Sequence, residues 1–191
     1  MSEEPSTRPT VVAVVGSPRP TGNTAWTVDI ALAELERRGV HTERIMLGNY
    51  RIGPCQGHEA CASLPACTQQ DDATEVLDRV YAADGLILAT PVYYEDVSAQ
   101  MKAFIDRNYR PYELQQRLQP QVAGLVVVAA ETGIEETVAA LKRFLALSWQ
   151  EEMPIEVAAG LASSLGEAAQ SEELRAAALR LAAGMADVLL A

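Results

Sequence analysis

The chain has 191 residues, 49% hydrophobic and 21% charged, enough for one full core without disulfide staples and too apolar for a disordered segment. Fifteen Lys and Arg stand against 26 Asp and Glu, a formal net charge of -11, which disfavours a nucleic-acid backbone as partner. The opening MSEEPSTRPT has no apolar core of a leader, and the longest apolar runs are too short to span a bilayer, so the expected location is cytoplasmic, with no membrane partner.

Residues 1–9 read as a polar arm, and 10–191 as a single domain. A strand is expected over 10–15, its apolar run continuous as in a parallel sheet covered on both faces. The turn GSPRPTGNT follows, then a helix over 24–38 with Trp26, Ile30, Ala33 and Leu35 on one stripe and Gly39 as its stop. A second strand is expected over 42–47, and 48–70 is broken by Gly and Pro. The next helix runs over 72–82 with Val76, Leu77 and Val80 inward, and a third strand over 84–90 leads into PVYYEDV. A helix from Ser98 carries Met101, Phe104 and Ile105 on its apolar side. The apolar run 122–130 is the fourth strand and opens a helix over 131–149, with Val138, Leu141, Leu145 and Trp149 at helical spacing. A weak fifth strand over 155–158 precedes a helix over 166–190. Alternating strands and helices at this spacing give an α/β doubly wound parallel sheet.

In such a sheet a ligand sits beyond the carboxyl ends of the strands. The first turn offers hydroxyls from Ser17, Thr21 and Thr24, the guanidinium of Arg19 and the N–H groups of a helix start, a combination that binds phosphate. Neither G-x-G-x-x-G nor G-K-[ST] is present, so a single phosphate monoester fits better than a dinucleotide or a triphosphate. After the third strand, Pro91, Val92, Tyr93 and Tyr94 place two rings where a flat ligand would lie. The turn Glu131 to Glu135 adds a glycine and acidic groups.

GSPRPTGNT, together with PVYYEDVSAQMKAFIDR at its distance, resembles the NAD(P)H-dependent FMN reductase family over most of residues 10–150. The resemblance implies a flavodoxin-like fold, with five parallel strands in the order 2-1-3-4-5. It also implies FMN as cofactor and NAD(P)H as co-substrate. Ser17, Arg19, Gly22, Asn23 and Thr24 would hold the FMN phosphate. Pro91, Val92, Tyr93 and Tyr94 would line the isoalloxazine, with Glu131, Thr132 and Gly133 at the ring's far edge. The flavin itself would be the reactive centre, with no catalytic side chain, passing electrons to a quinone, free flavin, or an azo or aromatic compound. A homodimer or homotetramer is the assembly expected of such proteins.

Three cysteines, Cys55, Cys61 and Cys67, fall within thirteen residues. The segment IGPCQGHEACASLPACTQQDD is similar to the cluster loop of iron-sulfur flavoproteins, a branch of the same family, with His58 where a fourth cysteine stands there. That leaves an iron-sulfur cluster and a Cys₃His zinc site as alternatives to thiols without metal. The last is the favoured reading, with an iron-sulfur flavoprotein electron carrier and a cofactor-free flavodoxin-like protein as alternatives to the reductase.

Overall fold

The structure, a computed structural model, describes residues 8–58, 61–148 and 153–191. Residues 1–7 of the expected arm and Trp149 lie outside these. Pro9 already belongs to the sheet edge, because its carbonyl accepts the His41 N–H at 2.9 Å.

Five strands, β1 (Thr10–Val15), β2 (His41–Met46), β3 (Gly85–Tyr93), β5 (Val122–Ala129) and β6 (Ile155–Leu161), pair in parallel in the order β2-β1-β3-β5-β6. This is the 2-1-3-4-5 order expected. A two-residue strand, β4 (Asp96–Val97), folds back antiparallel on the end of β3. β3 therefore outruns its expected end at residue 90, since Pro91 stays in register with Val128 and Tyr93 pairs with Asp96.

Each central strand feeds two cores. Ala13, Val15, Ile87, Ala89, Val126 and Val128 face helices α1 (Asn23–Arg37) and α6 (Glu172–Leu189). Val12, Val14, Leu86, Leu88, Leu125 and Val127 face α2 (Ala73–Tyr81), α3 (Ala99–Arg107) and α5 (Ile134–Ser148). Burial on both sides is why these strands read as unbroken apolar runs rather than alternating ones.

Three helices depart from expectation. On α1 the buried face is Ala25, Val28, Ala31, Leu32 and Leu35; Trp26 and Ile30 are half-buried and Ala33 is exposed, because small residues let α1 approach the sheet and α6 closely. Gly39 does end it, at φ +99°. The helix from Ser98 divides at Asn108 into α3 and the short α4 (Tyr109–Glu113). Before α6, residues 167–170 form a tighter 3₁₀ turn, and the Ser171 hydroxyl caps α6 by accepting from the Leu174 N–H at 3.2 Å.

Candidate functional site

Four loops meet at the carboxyl edge of the sheet around a cleft of about 130 Å³. The first holds its shape through Ser17: the buried hydroxyl accepts from the Arg19 N–H at 3.2 Å and donates to the Arg19 carbonyl at 3.3 Å. Gly22 follows as the N-cap of α1, and a Cβ there would stand 3.0 Å from that of Arg19. The first intrahelical acceptor is the Gly22 carbonyl, taken by Trp26, so among the described residues the N–H groups of Asn23, Thr24 and Ala25 have no protein partner. The Arg19 side chain is exposed and, among the described residues, pairs with no carboxylate. Donors without acceptors at the positive end of a 15-residue helix make an anion cradle.

Asn23 has another occupation. Its amide donates to the carbonyls of Ala162 (3.2 Å) and Ser164 (2.8 Å) and accepts from the N–H groups of Gly166 (2.9 Å) and Ala168 (3.3 Å). The side chain thus fastens the loop after β6 to the start of α1, leaving its backbone N–H for a ligand.

Pro91, Val92 and Tyr93 form the facing wall. Behind them Ser98, fully buried, ties the elements together. Its hydroxyl donates to the Gly16 carbonyl at 2.6 Å and caps α3 at Met101, while its N–H donates to the Thr90 hydroxyl at 3.0 Å. The hairpin from β3 to β4 turns through Tyr94 and Glu95, at φ +52° and +60°. A two-residue hairpin wants both central residues left-handed, a geometry suited to Asn-Gly and strained for Tyr-Glu. Tyr93 is 43% exposed and Tyr94 fully so.

Glu131, Thr132 and Gly133 do not line the cleft; Thr132 and Gly133 brace the hairpin. The Thr132 hydroxyl donates to Glu95 Oε1 at 3.4 Å, and a Cβ on Gly133 would lie 2.7 Å from the Glu95 Cα and 2.8 Å from Val92 Cγ1. From β5 the cleft instead receives Val128 and Ala130, and from the loop after β6 it receives Ala162, Ser163 and Leu165. Sequence reasoning passed over that last loop because the edge strand before it looked short. The signal was there: the strand-end rule applied to ASSLG as much as to the other turns.

A larger depression of about 580 Å³ lies between α3, α4 and α5, with Ile105, Phe144 and Leu147 in its walls. Its walls come mainly from these helices rather than from the carboxyl ends of the central parallel strands, so size does not decide the site. Among the described residues no helix is long and apolar enough to cross a membrane.

The cysteines form a second locus. Cys55, Cys61 and Cys67 all line one cavity of about 260 Å³ beneath the 53–71 loop. Arg107 of α3, its side chain 4% exposed, reaches into it and holds the loop at three points: Asp71 Oδ2 (2.5 Å), the Gly53 carbonyl (3.1 Å) and Cys67 Sγ (3.4 Å). Burial alone would raise the Asp71 pKa, but the Arg107 guanidinium and the N–H groups of Gly53 and Ala73 outweigh it and hold the carboxyl below its usual range. Burial pushes the Tyr81 phenol, also in the cavity wall, up to about 12, so it stays a donor, to Asn108 Oδ1 at 3.2 Å. His58 stands apart: it is exposed, its Nδ1 shares a hydrogen bond with the Thr68 hydroxyl at 2.8 Å, and it is not in the cavity wall. Among the described residues no three His, Cys, Asp or Glu side chains are gathered as for one metal ion. Arg107 was missed in the sequence, although its spacing from Met101 and Phe104 on the buried face of α3 marked it as a charge pointing inward.

A family model for NADPH-dependent FMN reductases matches residues 9–164. An iron-sulfur flavoprotein of Archaeoglobus fulgidus is 36% identical over 88% of this chain and 76% of its own length. One of Methanocaldococcus jannaschii is 41% identical over 66% of each chain. The fold is shared with the NAD(P)H:quinone oxidoreductase of Methanothermobacter marburgensis, with a TM-score of 0.72 at 17% identity over 95% of this chain and 96% of that one. Domain-long family match, strand order and neighbours agree, and the chain belongs to the NADPH-dependent FMN reductase family, flavodoxin-like oxidoreductases that work with FMN and NAD(P)H.

Proposed function

We propose that this flavin oxidoreductase takes reducing equivalents from NADH or NADPH and passes them to a small acceptor: a quinone, free flavin, or an azo or aromatic compound. The observation that carries the proposal is the α1 cradle, whose N–H groups without a described partner and exposed Arg19 share one cleft with Pro91, Val92 and the Tyr93 ring of β3. A phosphate fits the first and a flat ring the second. FMN, when bound, supplies the redox chemistry, so the protein's residues need only bind, orient and exclude water. Ser17 and Thr24 add hydroxyls beside the phosphate. Pro91 to Tyr93 offer backbone and ring surface, and the exposed Tyr94 is placed to meet an incoming aromatic acceptor. A cytoplasmic location, small-molecule partners and a homo-oligomer belong to the same reading. The test is NAD(P)H oxidation by FMN-loaded protein with a small quinone and an azo dye. Turnover supports the proposal, and FMN bound without turnover on any acceptor class overturns it.

The cysteine cavity favours a second reading, an FMN protein that also carries an iron-sulfur cluster and serves as an electron carrier. Three soft thiols around one space suit iron-sulfur chemistry. A single zinc would draw its donors to about 2.3 Å from one point, whereas a cluster spreads its thiolates over several metal atoms. With His58 turned to Thr68, the cysteines are the donor set. Iron and sulfide content after anaerobic purification separates this reading from flavin alone.

A further inference from the structure

The walls of the cysteine cavity set two guanidinium groups beside three thiols. Arg107 and Arg110 both line it, opposed there by the exposed carboxylate of Asp78. Arg110 donates to the Leu64 carbonyl at 2.8 Å, and among the described residues its buried Nε has no acceptor. Arg107 is the more telling group, because a buried arginine needs a partner for its charge and acceptors for its five N–H bonds. Asp71 meets the charge and Gly53 takes a further bond. The remaining contact, Nη2–H to Cys67 Sγ, is with a sulfur that accepts only weakly as a thiol. The same contact becomes charge-assisted once that sulfur is a metal-bound thiolate.

We propose that Arg107 is a positioning residue for a thiolate centre formed by Cys55, Cys61 and Cys67, and that its hydrogen bond to Cys67 raises the reduction potential of an iron-sulfur cluster held there. The inference rests on the cluster reading above. Its direction follows from charge. Reduction places added negative charge on the iron-bound sulfurs, and a donor aimed at one of them stabilises the reduced form more than the oxidised one. Asp71 opposes this effect by neutralising part of the guanidinium charge through the other terminal nitrogen, Nη1. The two partners of one ion pair therefore act on the centre with opposite signs.

The experiment uses full-length, FMN-loaded protein, anaerobically reconstituted with ferrous iron and sulfide. Iron and sulfide per chain are measured, followed by a redox titration read by electron paramagnetic resonance. Arg107→Lys keeps a cation opposite Asp71 but loses the planar fork. At the wild-type midpoint, its ratio of reduced to oxidised cluster is expected to fall about tenfold. Asp71→Asn keeps the donor and removes the neutralising charge, and the same ratio should rise. Should the Lys variant fail to fold or load, the sign of the Asn shift decides. Unchanged potentials in loaded variants, or shifts of the same sign, leave Arg107 as a loop anchor only and overturn the proposal while the cluster reading stands. Wild-type protein that holds FMN but no iron overturns both.

Discussion

Ser98 donates its hydroxyl to the carbonyl of Gly16 at 2.6 Å, across 82 residues of sequence, and both groups are buried. One side chain thereby caps α3 and fixes the end of β1 where the Ser17–Thr24 turn begins. Ser98→Ala removes the cap and leaves a buried carbonyl orphaned. The expected loss is about 2–3 kcal/mol, a fall in Tm of roughly 5–10 °C by calorimetry, with weaker FMN retention.

Arg19 tests the anion cradle without touching the fold. Its exposed side chain supports no described contact, so Arg19→Ala should leave Tm unchanged. FMN affinity should fall about ten- to a hundredfold, as expected for a lost charge-assisted bond of about 1.5–3 kcal/mol. Quenching of FMN fluorescence on titration measures it; equal affinities would remove Arg19 from the site.

Two substitutions at Asn23 should separate stability from binding. Asn23→Ala loses all four side-chain bonds to the 162–168 loop, at a cost of about 1–3 kcal/mol. Asn23→Asp keeps the acceptor for Gly166 and Ala168 and suits a helix N-terminus, so it should unfold at a higher temperature than the Ala variant. Its added charge repels a phosphate, and FMN binding should be the weaker of the two.

The hairpin at Tyr94 and Glu95 predicts a trade of activity for stability. Replacing the pair by Asn-Gly relieves two left-handed non-glycine residues and should raise stability by about 1 kcal/mol in urea. With the exposed ring gone, KM for an aromatic acceptor should rise while FMN stays bound.

Asp71 makes the 53–71 loop acid-sensitive. Its folded pKa is depressed, so its contribution is complete above the unfolded value of about 4 and is lost as pH falls through the lower folded value. Hydrogen exchange in the loop should accelerate over that acid interval. Asp71→Asn should exchange faster at neutral pH and show a flatter dependence below pH 4.

The sheet was legible because β1, β3 and β5 carry continuous apolar runs, a pattern forced by helices on both faces. The turn after β1 was legible as a candidate anion site because hydroxyls, Arg19 and glycine fell together just after a strand. What escaped were relationships between distant segments. Nothing local marks Asn23 as a clamp on residues 162–168, Arg107 as the anchor of residues 53–71, or Gly133 as backing for Glu95. Those roles exist only once the crossovers bring the segments into contact. His58 shows the converse: its spacing from the cysteines suggested a fourth ligand, and a hydrogen bond to Thr68 turned it elsewhere.

The Asn23 clamp joins the beginning of the chain to its last third. Whatever settles on the N-terminus of α1 also settles, through one amide, the loop that launches α6. With FMN bound as proposed, its release would loosen the C-terminal segment through this amide, and FMN would act as a structural member of the fold as well as its reagent. In cells short of flavin, degradation would be expected to begin at that C-terminal segment.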